Sequence, residues 1–163
     1  MYHQPSFLDV IEEYLESEEI RLPAFSRNAL RIQKEAFSAE PDFSTIQELI
    51  ECDQALTSQV IRKANTAFYR GLRKVNTVQE AILRIGTGQI ASIEMMITQK
   101  TNYDSKDPLI SEYMKRLWNH SLAVANASNW LAERCGYPNL MDQAYVAGLL
   151  HDVGKLLLLM VME

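Results

Sequence analysis

One short segment near the end of the chain carries side chains that could bind a metal ion. His151 and Asp152 are adjacent, and Ala147 and Gly148 precede the histidine by four and three positions. If this segment is helical, the two small residues share a face with His151, and helical side chains lean toward the N-terminus. We therefore expect open space above the imidazole, which a metal, a water or another helix could fill. Gly154 would either end the helix or allow another backbone to approach closely.

The residues around this pair make it more informative than a bare His-Asp dipeptide, which is usually a structural histidine beside a surface aspartate. The run Gly-Leu-Leu-His-Asp-Val-Gly-Lys at 148–155 resembles the signature of the HD superfamily of helical metal-dependent phosphohydrolases. In that family the His-Asp pair, an earlier histidine and a later aspartate hold the metal. The resemblance implies His120 as the earlier ligand, and it implies that Lys155 could contact a phosphate. Without the resemblance, Lys155 is an exposed lysine at a helix end.

A site made of His120, His151 and Asp152 would offer two imidazoles and one carboxylate. Such a set suits Fe, Mn or Zn with open positions for water, and a bound metal would activate that water for phosphate hydrolysis. Adjacent residues on a helix diverge by about 100°, so His151 and Asp152 should not converge easily without further ligands. The chain stops at Glu163, before a later aspartate. We therefore expect a fragment of a longer protein, or an oligomer that supplies the missing contacts.

Length and composition favour a soluble globular protein of one domain, or one and a half. The 163 residues are 47% apolar and 23% charged, and a net charge of -5 argues weakly against nonspecific nucleic-acid binding. Cys52 and Cys135 lack a metal-type spacing. With no signal peptide, they predict reduced thiols in a cytoplasmic protein. The longest apolar run, 156–162, is too short to cross a bilayer, so we expect no membrane contact, but it could mediate homo-oligomers.

Helical periodicity and capping signals occur along the whole chain and predict an all-α fold. The predicted helices run from Ser6 to Leu15, from Pro23 to about Ala39, from a capping box at Ser44, from an N-cap at Asp53, from Thr77 to Gly86, from Gln89 to Thr98, from Pro108 to Arg134, and from Met141 or Asp142 through His151.

Apolar spacing predicts which faces of these helices are buried. In the helix from Pro23, six residues are available to the core, namely Phe25, Ala29, Leu30, Ile32, Ala36 and Phe37. In the long helix from Pro108, one stripe combines His120 with apolar neighbours at helical spacing, namely Tyr113, Leu117, Val124, Ala127 and Leu131. A buried imidazole must have partners, so the generic interpretation of His120 is a satisfied core histidine.

A second motif group lies upstream of the histidines. Asp53-Gln-Ala-Leu, the pair Asn65-Thr and the run Ala81-Ile-Leu-Arg-Ile-Gly86 resemble the HDOD family, a bacterial signalling module. There the corresponding patterns are Asp-Pro-x-Leu, Asn-Ser and Ala-Ile-x-x-Leu-Gly, so this chain departs from them at Gln54, Thr66 and Ile85. The resemblance covers 22–158. It implies a multi-helical bundle with an N-terminal helical part at 1–107 and an HD-like part at 108–163, the latter incomplete at its C-terminus.

The HDOD resemblance also has implications for function. Members of that family commonly have incomplete ligand sets and are regarded as regulatory modules. We therefore expect a regulatory domain of bacterial signal transduction that binds a signalling protein or a small ligand rather than catalysing a reaction, with no cofactor. The alternative is a metal-dependent phosphohydrolase for a nucleotide or cyclic dinucleotide, with a divalent metal at His120, His151 and Asp152.

A basic stretch lies between the motif helices, with no acidic residue between Asp53 and Glu80. It includes the aromatic residues Phe68 and Tyr69, and its basic residues are Arg62, Lys63, Arg70, Arg73 and Lys74. Such a segment could hold a phosphate or an acidic partner, although a solvated loop has the same composition. Within it, Asn65 is expected to bond a neighbouring backbone group and fix a turn.

A DNA-binding regulator is the second alternative, because 77–97 could form a helix-turn-helix. A recognition helix should present polar and basic side chains to base edges. The second helix of this segment is mostly apolar and has no arginine or lysine before Lys100. Nucleic-acid binding is therefore disfavoured.

Overall fold

The computed structural model describes residues 6–16, 25–69, 71 and 73–163, and within them all regular secondary structure is helical. The all-α prediction is confirmed. In chain order the helices are α1 (Phe7–Glu16), α2 (Arg27–Ala36), α3 (Phe43–Glu51), α4 (Gln54–Ala64), α5 (Val78–Ile85), α6 (Thr87–Lys100), α7 (Pro108–Arg134), α8 (Met141–Leu150) and α9 (Val153–Val161), with a 3-10 turn at Pro138–Leu140 before α8.

Capping side chains define where most of these helices begin. The Ser6 hydroxyl accepts from the Asp9 amide, and the Asp53 carboxylate accepts from the first amides of α4. Thr77 and Glu80 form a reciprocal capping box at α5. All three predicted signals are confirmed. The capping box predicted at Ser44 is wrong, because the Asp42 carboxylate caps α3 and accepts from the Ser44 amide at 2.9 Å.

Helix α2 is shorter than predicted at both ends, because it spans Arg27–Ala36 instead of Pro23 to about Ala39. Phe25 and Ser26 are not helical, and the Ser26 hydroxyl caps α2 by accepting from the Ala29 amide. The helix therefore begins at Arg27, four residues after the predicted start at Pro23, which itself lies outside the described residues. Phe25 and Leu30 are 37% and 50% exposed. Their assignment to the core is wrong, because α2 buries the face that carries Ala29 and Ile32.

Helix α6 connects the two groups of helices. It contacts α2, α4 and α5, which precede it, and α8, which follows it. Its residues from Ile90 to Met95 are all buried, including the polar Ser92 and Glu94. A helix buried on every face through its middle cannot enter a DNA groove, so this geometry gives no support to a recognition helix. The boundary predicted at residue 107 coincides with the N-cap of α7 and stays a prediction.

The long helix α7 packs in a different register from the predicted one. Tyr113 and Leu131 are 52% and 55% exposed, and His120 is exposed as well. The buried positions of α7 are Ile110, Met114, Ser121 and Ala125. Because α8 and α9 cover only one side of α7, the apolar stripe on the next face remains partly in solvent. The expectation of a buried His120 is therefore wrong.

Two glycines near the His-Asp pair have different environments. A Cβ on Gly148 would lie 2.9 Å from the Ala125 Cα, so α7 and α8 cross in close contact there. This confirms that a small residue before His151 makes room for another helix. Gly154 lies inside α9 with nothing within 4 Å of its missing Cβ. It neither ends a helix nor allows a close approach, and both expectations for it are wrong.

The segment Pro138–Val161 has the length and apolar composition of a membrane span, with 24 residues and a mean hydropathy of 1.6. In the structure it is divided into the 3-10 turn, α8 and α9, with a turn at His151 and Asp152. Gly148 and Leu149 are buried. Leu149 and Leu156 pack in clusters with residues of α7, but only 17% of the most apolar window of this segment is buried within the described residues.

Candidate functional site

The three predicted ligands are brought together by the end of one helix and the middle of another. His120 lies on α7, and α8 ends at Leu150, so His151 and Asp152 form the turn before α9. Because the pair is not inside a continuous helix, the divergence of about 100° between helical neighbours does not apply to it. The expectation that His151 and Asp152 cannot easily converge is therefore wrong.

The donor atoms of this cluster form a nearly equilateral triangle. His120 Nε2 and His151 Nε2 are 3.2 Å apart, and each lies close to Asp152 Oδ2, at 3.4 Å and 3.2 Å respectively. Ligand atoms about 2.0–2.2 Å from one divalent ion lie about 3.0–3.4 Å from each other in tetrahedral or octahedral coordination. The spacing and the donor types thus fit one face of a divalent metal site.

A backbone carbonyl orients the His151 ring. His151 Nδ1 lies 2.7 Å from the Gly148 carbonyl oxygen. A carbonyl can only accept, so Nδ1 carries a proton, and the neutral form of this imidazole presents its lone pair at Nε2. A metal-binding histidine is typically oriented by such a contact to its other nitrogen. The glycine that allows α7 to approach therefore also fixes the tautomer of the candidate ligand.

Lys155 contacts the same oxygen of Asp152 that the two imidazoles face. Its Nζ donates to Asp152 Oδ2 at 2.7 Å. This hydrogen bond is the main reason why the pKa of Asp152 is lowered, and nearby His151 and His120 lower it further. Asp152 is consequently ionised at neutral pH. The same oxygen would be shared between Lys155 and a bound cation.

The cluster opens into a groove of about 510 Å³ between α7 and α9. His120, Asp152 and Lys155 lie at this groove, and its other walls are Tyr113, Arg116, Leu117, Leu158 and Leu159. The side chains of His120 and His151 are 52% and 34% exposed, so the imidazoles are accessible to solutes. Polar groups beside an apolar wall can bind a small molecule that has both kinds of surface.

The predicted basic residues do not assemble at this cluster. Arg62, Arg73 and Lys74 are exposed, and Lys63 lines a different cleft beside Tyr69. Arg70 lies outside the described residues. Only Lys155, of the predicted anion-binding residues that the structure describes, lies beside the histidines. Asn65 has the expected structural role, since its amide bonds both the amide and the carbonyl of Val75 and so closes the intervening loop.

Sequence reasoning named five of the groove residues but did not single out Arg116, Leu158 and Leu159. Arg116 precedes His120 by one helical turn, so helical spacing alone could have placed the two side chains on one face. Leu158 and Leu159 had only the signal of a general apolar run, which does not reveal which helix they face. The role of the Gly148 carbonyl had no sequence signal, because every residue except proline offers the same backbone groups.

Comparison with known proteins gives consistent results across sequence and structure. The family model described as HDOD domain matches residues 22–163. The crystal structure of an HDOD domain protein of unknown function from Geobacter sulfurreducens is similar at 30% identity and a TM-score of 0.71, covering 91% of this chain and 49% of that one. A structure from Shewanella amazonensis SB2B, named "Putative metal-dependent phosphohydrolase", has the same fold at 24% identity and a TM-score of 0.68, covering 94% of this chain and 56% of that one.

A curated relative from Treponema pallidum (strain Nichols), named as an uncharacterized protein, is 25% identical over 134 residues. That match covers 82% of this chain and 25% of the relative. The chain therefore spans about half the length of the solved relatives and about a quarter of the curated one. The similarity therefore covers only part of each of these relatives.

Proposed function

This chain belongs to the HDOD domain family, and from that premise we propose that it is a regulatory module of bacterial signal transduction that acts by binding. Its ligand site is the groove at His120, His151 and Asp152, and it acts in the cytoplasm on a signalling protein or a small ligand. The family is related to the HD phosphohydrolases, so metal-dependent phosphate hydrolysis at the same groove is the alternative function.

The hydrogen bond from Lys155 to Asp152 is the main observation that supports this proposal. Asp152 is the one acidic group among the described residues that lies beside both histidines. Its Oδ2 atom already accepts a hydrogen bond from the Lys155 ammonium at 2.7 Å. A cation that binds there must compete with Lys155, which favours weak and reversible occupancy. Reversible occupancy suits a sensing role better than a permanently loaded catalytic metal.

The spacing of the three donor atoms supports the alternative, a metal-dependent phosphohydrolase. If a divalent ion binds, His120, His151 and Asp152 would hold it, and it would supply an activated water and polarise a phosphate oxygen. Lys155 and Arg116 line the same groove and could orient an anionic substrate. In this alternative, the substrate is a nucleotide or a cyclic dinucleotide.

Metal content and turnover, measured on the same preparations, separate the two functions. The protein is purified without chelator, and Fe, Mn and Zn are quantified per chain by elemental analysis. His151→Ala and Asp152→Ala test the cluster. Glu133→Ala, which replaces an exposed acidic residue of the same long helix, is the matched control. Each preparation is then assayed with bis(p-nitrophenyl) phosphate and a cyclic dinucleotide, with and without added Mn²⁺.

We expect the parent protein to contain less than one metal ion per chain, and His151→Ala and Asp152→Ala should both lower this content. We also expect the parent to hydrolyse the phosphoesters no faster than these two variants. Near-stoichiometric metal with hydrolysis that both variants abolish would replace the binding proposal with the phosphohydrolase. No metal in any preparation, with all variants folded by circular dichroism, would leave the cluster as a structural feature and direct the search to protein partners.

A further inference from the structure

A second cleft lies where the N-terminal helices meet α7 and α8. Its volume is about 460 Å³, within the range of about 300–1,000 Å³ that is usual for small-molecule sites. Lys63, Phe68 and Tyr69 contribute from the basic stretch, and Asn126 and Asn129 contribute from α7. No lining residue is shared with the groove at His120.

The exposed ring of Phe68 lies at this cleft and packs against Tyr69, which is held by hydrogen bonds. Phe68 is 87% exposed, and its ring meets that of Tyr69 edge-on, with centroids 4.7 Å apart. Tyr69 is itself anchored, because its hydroxyl donates to Gln89 Oε1 at 2.7 Å and the Gln89 amide donates to Asp142. Phe68 thus leaves most of its apolar surface in water, and a planar ring stacked on it would bury that surface.

Two asparagines of α7 provide hydrogen-bond acceptors at the cleft. Asn126 Nδ2 donates to the Leu122 carbonyl, and Asn129 Nδ2 donates to the Met141 carbonyl at 2.9 Å. Because a carbonyl can only accept, these contacts define which way each amide is oriented. Both Oδ1 atoms are therefore left as acceptors, and they suit a ligand that carries N–H groups.

One cation lies beside the aromatic pair. Lys63 Nζ is 6.0 Å from the centroid of the Tyr69 ring, and no carboxylate among the described side chains forms an ion pair with it. A lysine in this position is available for an anionic group on a ligand. The cleft therefore combines a stacking ring, N–H acceptors and a positive charge.

We propose that this cleft binds a nucleoside monophosphate, with the base stacked on Phe68, its N–H groups directed to Asn126 and Asn129, and its phosphate at Lys63. This second site lies apart from the His120 cluster and requires no metal. It gives the basic stretch a specific role, in which Lys63 and the two aromatics act together. Binding in the cleft would bridge the N-terminal helices and the α7–α8 pair.

Isothermal titration calorimetry with AMP, GMP, CMP and UMP, in buffer that contains EDTA, tests the site. Guanosine tests the ring alone, and ribose 5-phosphate tests the anion alone. We expect at least one nucleotide to bind more tightly than both of these probes. Phe68→Ala should weaken binding about fivefold or more, in line with the loss of a stacked aromatic. Lys63→Gln should reduce the preference for the nucleotide over the nucleoside.

Matched variants keep the test specific. Leu83→Ala removes a comparably exposed apolar side chain on α5, and Lys74→Gln removes an exposed lysine of the same stretch. Both should bind like the parent, and so should His151→Ala. The proposal is overturned if no nucleotide binds at millimolar concentration, if Phe68→Ala and Lys63→Gln both bind like the parent, or if His151→Ala abolishes binding.

Discussion

The most unusual titratable residue lies in the core rather than at the histidine cluster. Glu94 on α6 is buried; one carboxyl oxygen accepts from Thr98 Oγ1 at 2.9 Å, and the other has no hydrogen-bond partner. Burial, with a smaller contribution from Asp53, raises the pKa of Glu94 from 4.5 to about 7. The folded protein therefore favours the neutral acid, because an unpaired buried charge is costly.

This pKa predicts how Glu94 affects stability across the neutral range. The unfolded chain loses this proton near pH 4.5 and the folded chain near pH 7, so the contribution of Glu94 falls as the pH rises between these values. We expect Glu94→Gln to remove this fall and to raise the free energy of unfolding at pH 8 by roughly 3 kcal/mol relative to the parent. Urea unfolding at pH 5 and pH 8 measures the difference.

Glu133→Gln, on the exposed side of α7, is the control for the Glu94 measurement and should unfold like the parent at both pH values. A Glu94→Gln protein whose stability falls between pH 5 and pH 8 as steeply as that of the parent would contradict the buried neutral acid.

Lys155 gives a second prediction for a single residue. Its ammonium binds the Asp152 oxygen that points at both imidazoles, so Lys155→Met should free that oxygen and raise the affinity for Mn²⁺ or Zn²⁺. The exposed lysine forms only a modest ion pair, so we expect a gain of roughly threefold. Metal titration by calorimetry measures it, with Lys115→Met on the exposed face of α7 as the control. Weaker metal binding in Lys155→Met would show that Lys155 supports the ligand rather than competing with it.

For the helices, the crossing of α7 and α8 decides whether the cluster can form. A Cβ at position 148 would lie 2.9 Å from Ala125 Cα and 2.9 Å from Ser128 Oγ. We expect Gly148→Ala to push the helices apart, to cost about 1–3 kcal/mol, and to weaken metal binding because His120 and His151 separate. Gly154→Ala, with nothing within 4 Å, should instead stabilise α9 by about 0.5–1 kcal/mol. Thermal unfolding with metal titration compares the two, and equal stabilities would refute the crossing constraint.

The sequence predicted local features of these helices better than their packing. Thr77, Asp53 and Pro108 start helices as expected, because caps and proline act through their own neighbouring backbone. Asp42 replaced Ser44 as a cap because both fit, and local chemistry does not rank them. The register of α7 was wrong because Tyr113 and Met114 both belong to apolar stripes, and only the partner helices decide which stripe is buried.

The candidate site was predicted in the same uneven way. Family resemblance selected His120, His151 and Asp152, whereas helical geometry argued against their convergence because it assumed an unbroken helix. The turn after Leu150 consists of His151 and Asp152, so it contains no proline or glycine from which a helix end could be predicted. The cleft at Lys63 depends on contacts between α4, α6, α7 and α8, which the spacing of residues along one chain cannot reveal.

At the scale of the whole molecule, α7 and α9 leave an apolar surface open. Glu163 accepts from Ser105 and from the Lys106 amide, so the end of α9 lies at the start of α7. Leu109, Tyr113 and Met162 are 67%, 52% and 61% exposed at this end, and the groove that contains Leu158 continues the surface. Contiguous apolar surface of this kind favours association.

We therefore expect the chain to self-associate through the face made by α7 and α9, so that association competes with ligand binding in the groove between these helices. Leu158→Glu should shift the protein toward monomer because it places a charge in the apolar groove, and light scattering after size-exclusion chromatography at several concentrations measures the change. Leu83→Glu, at a 77% exposed position on α5, should leave the association constant unchanged. Circular dichroism must show that both variants are folded. If the parent is a monomer throughout, or if Leu83→Glu dissociates it equally, the face between α7 and α9 is not the interface, and its groove then remains accessible to a partner or ligand.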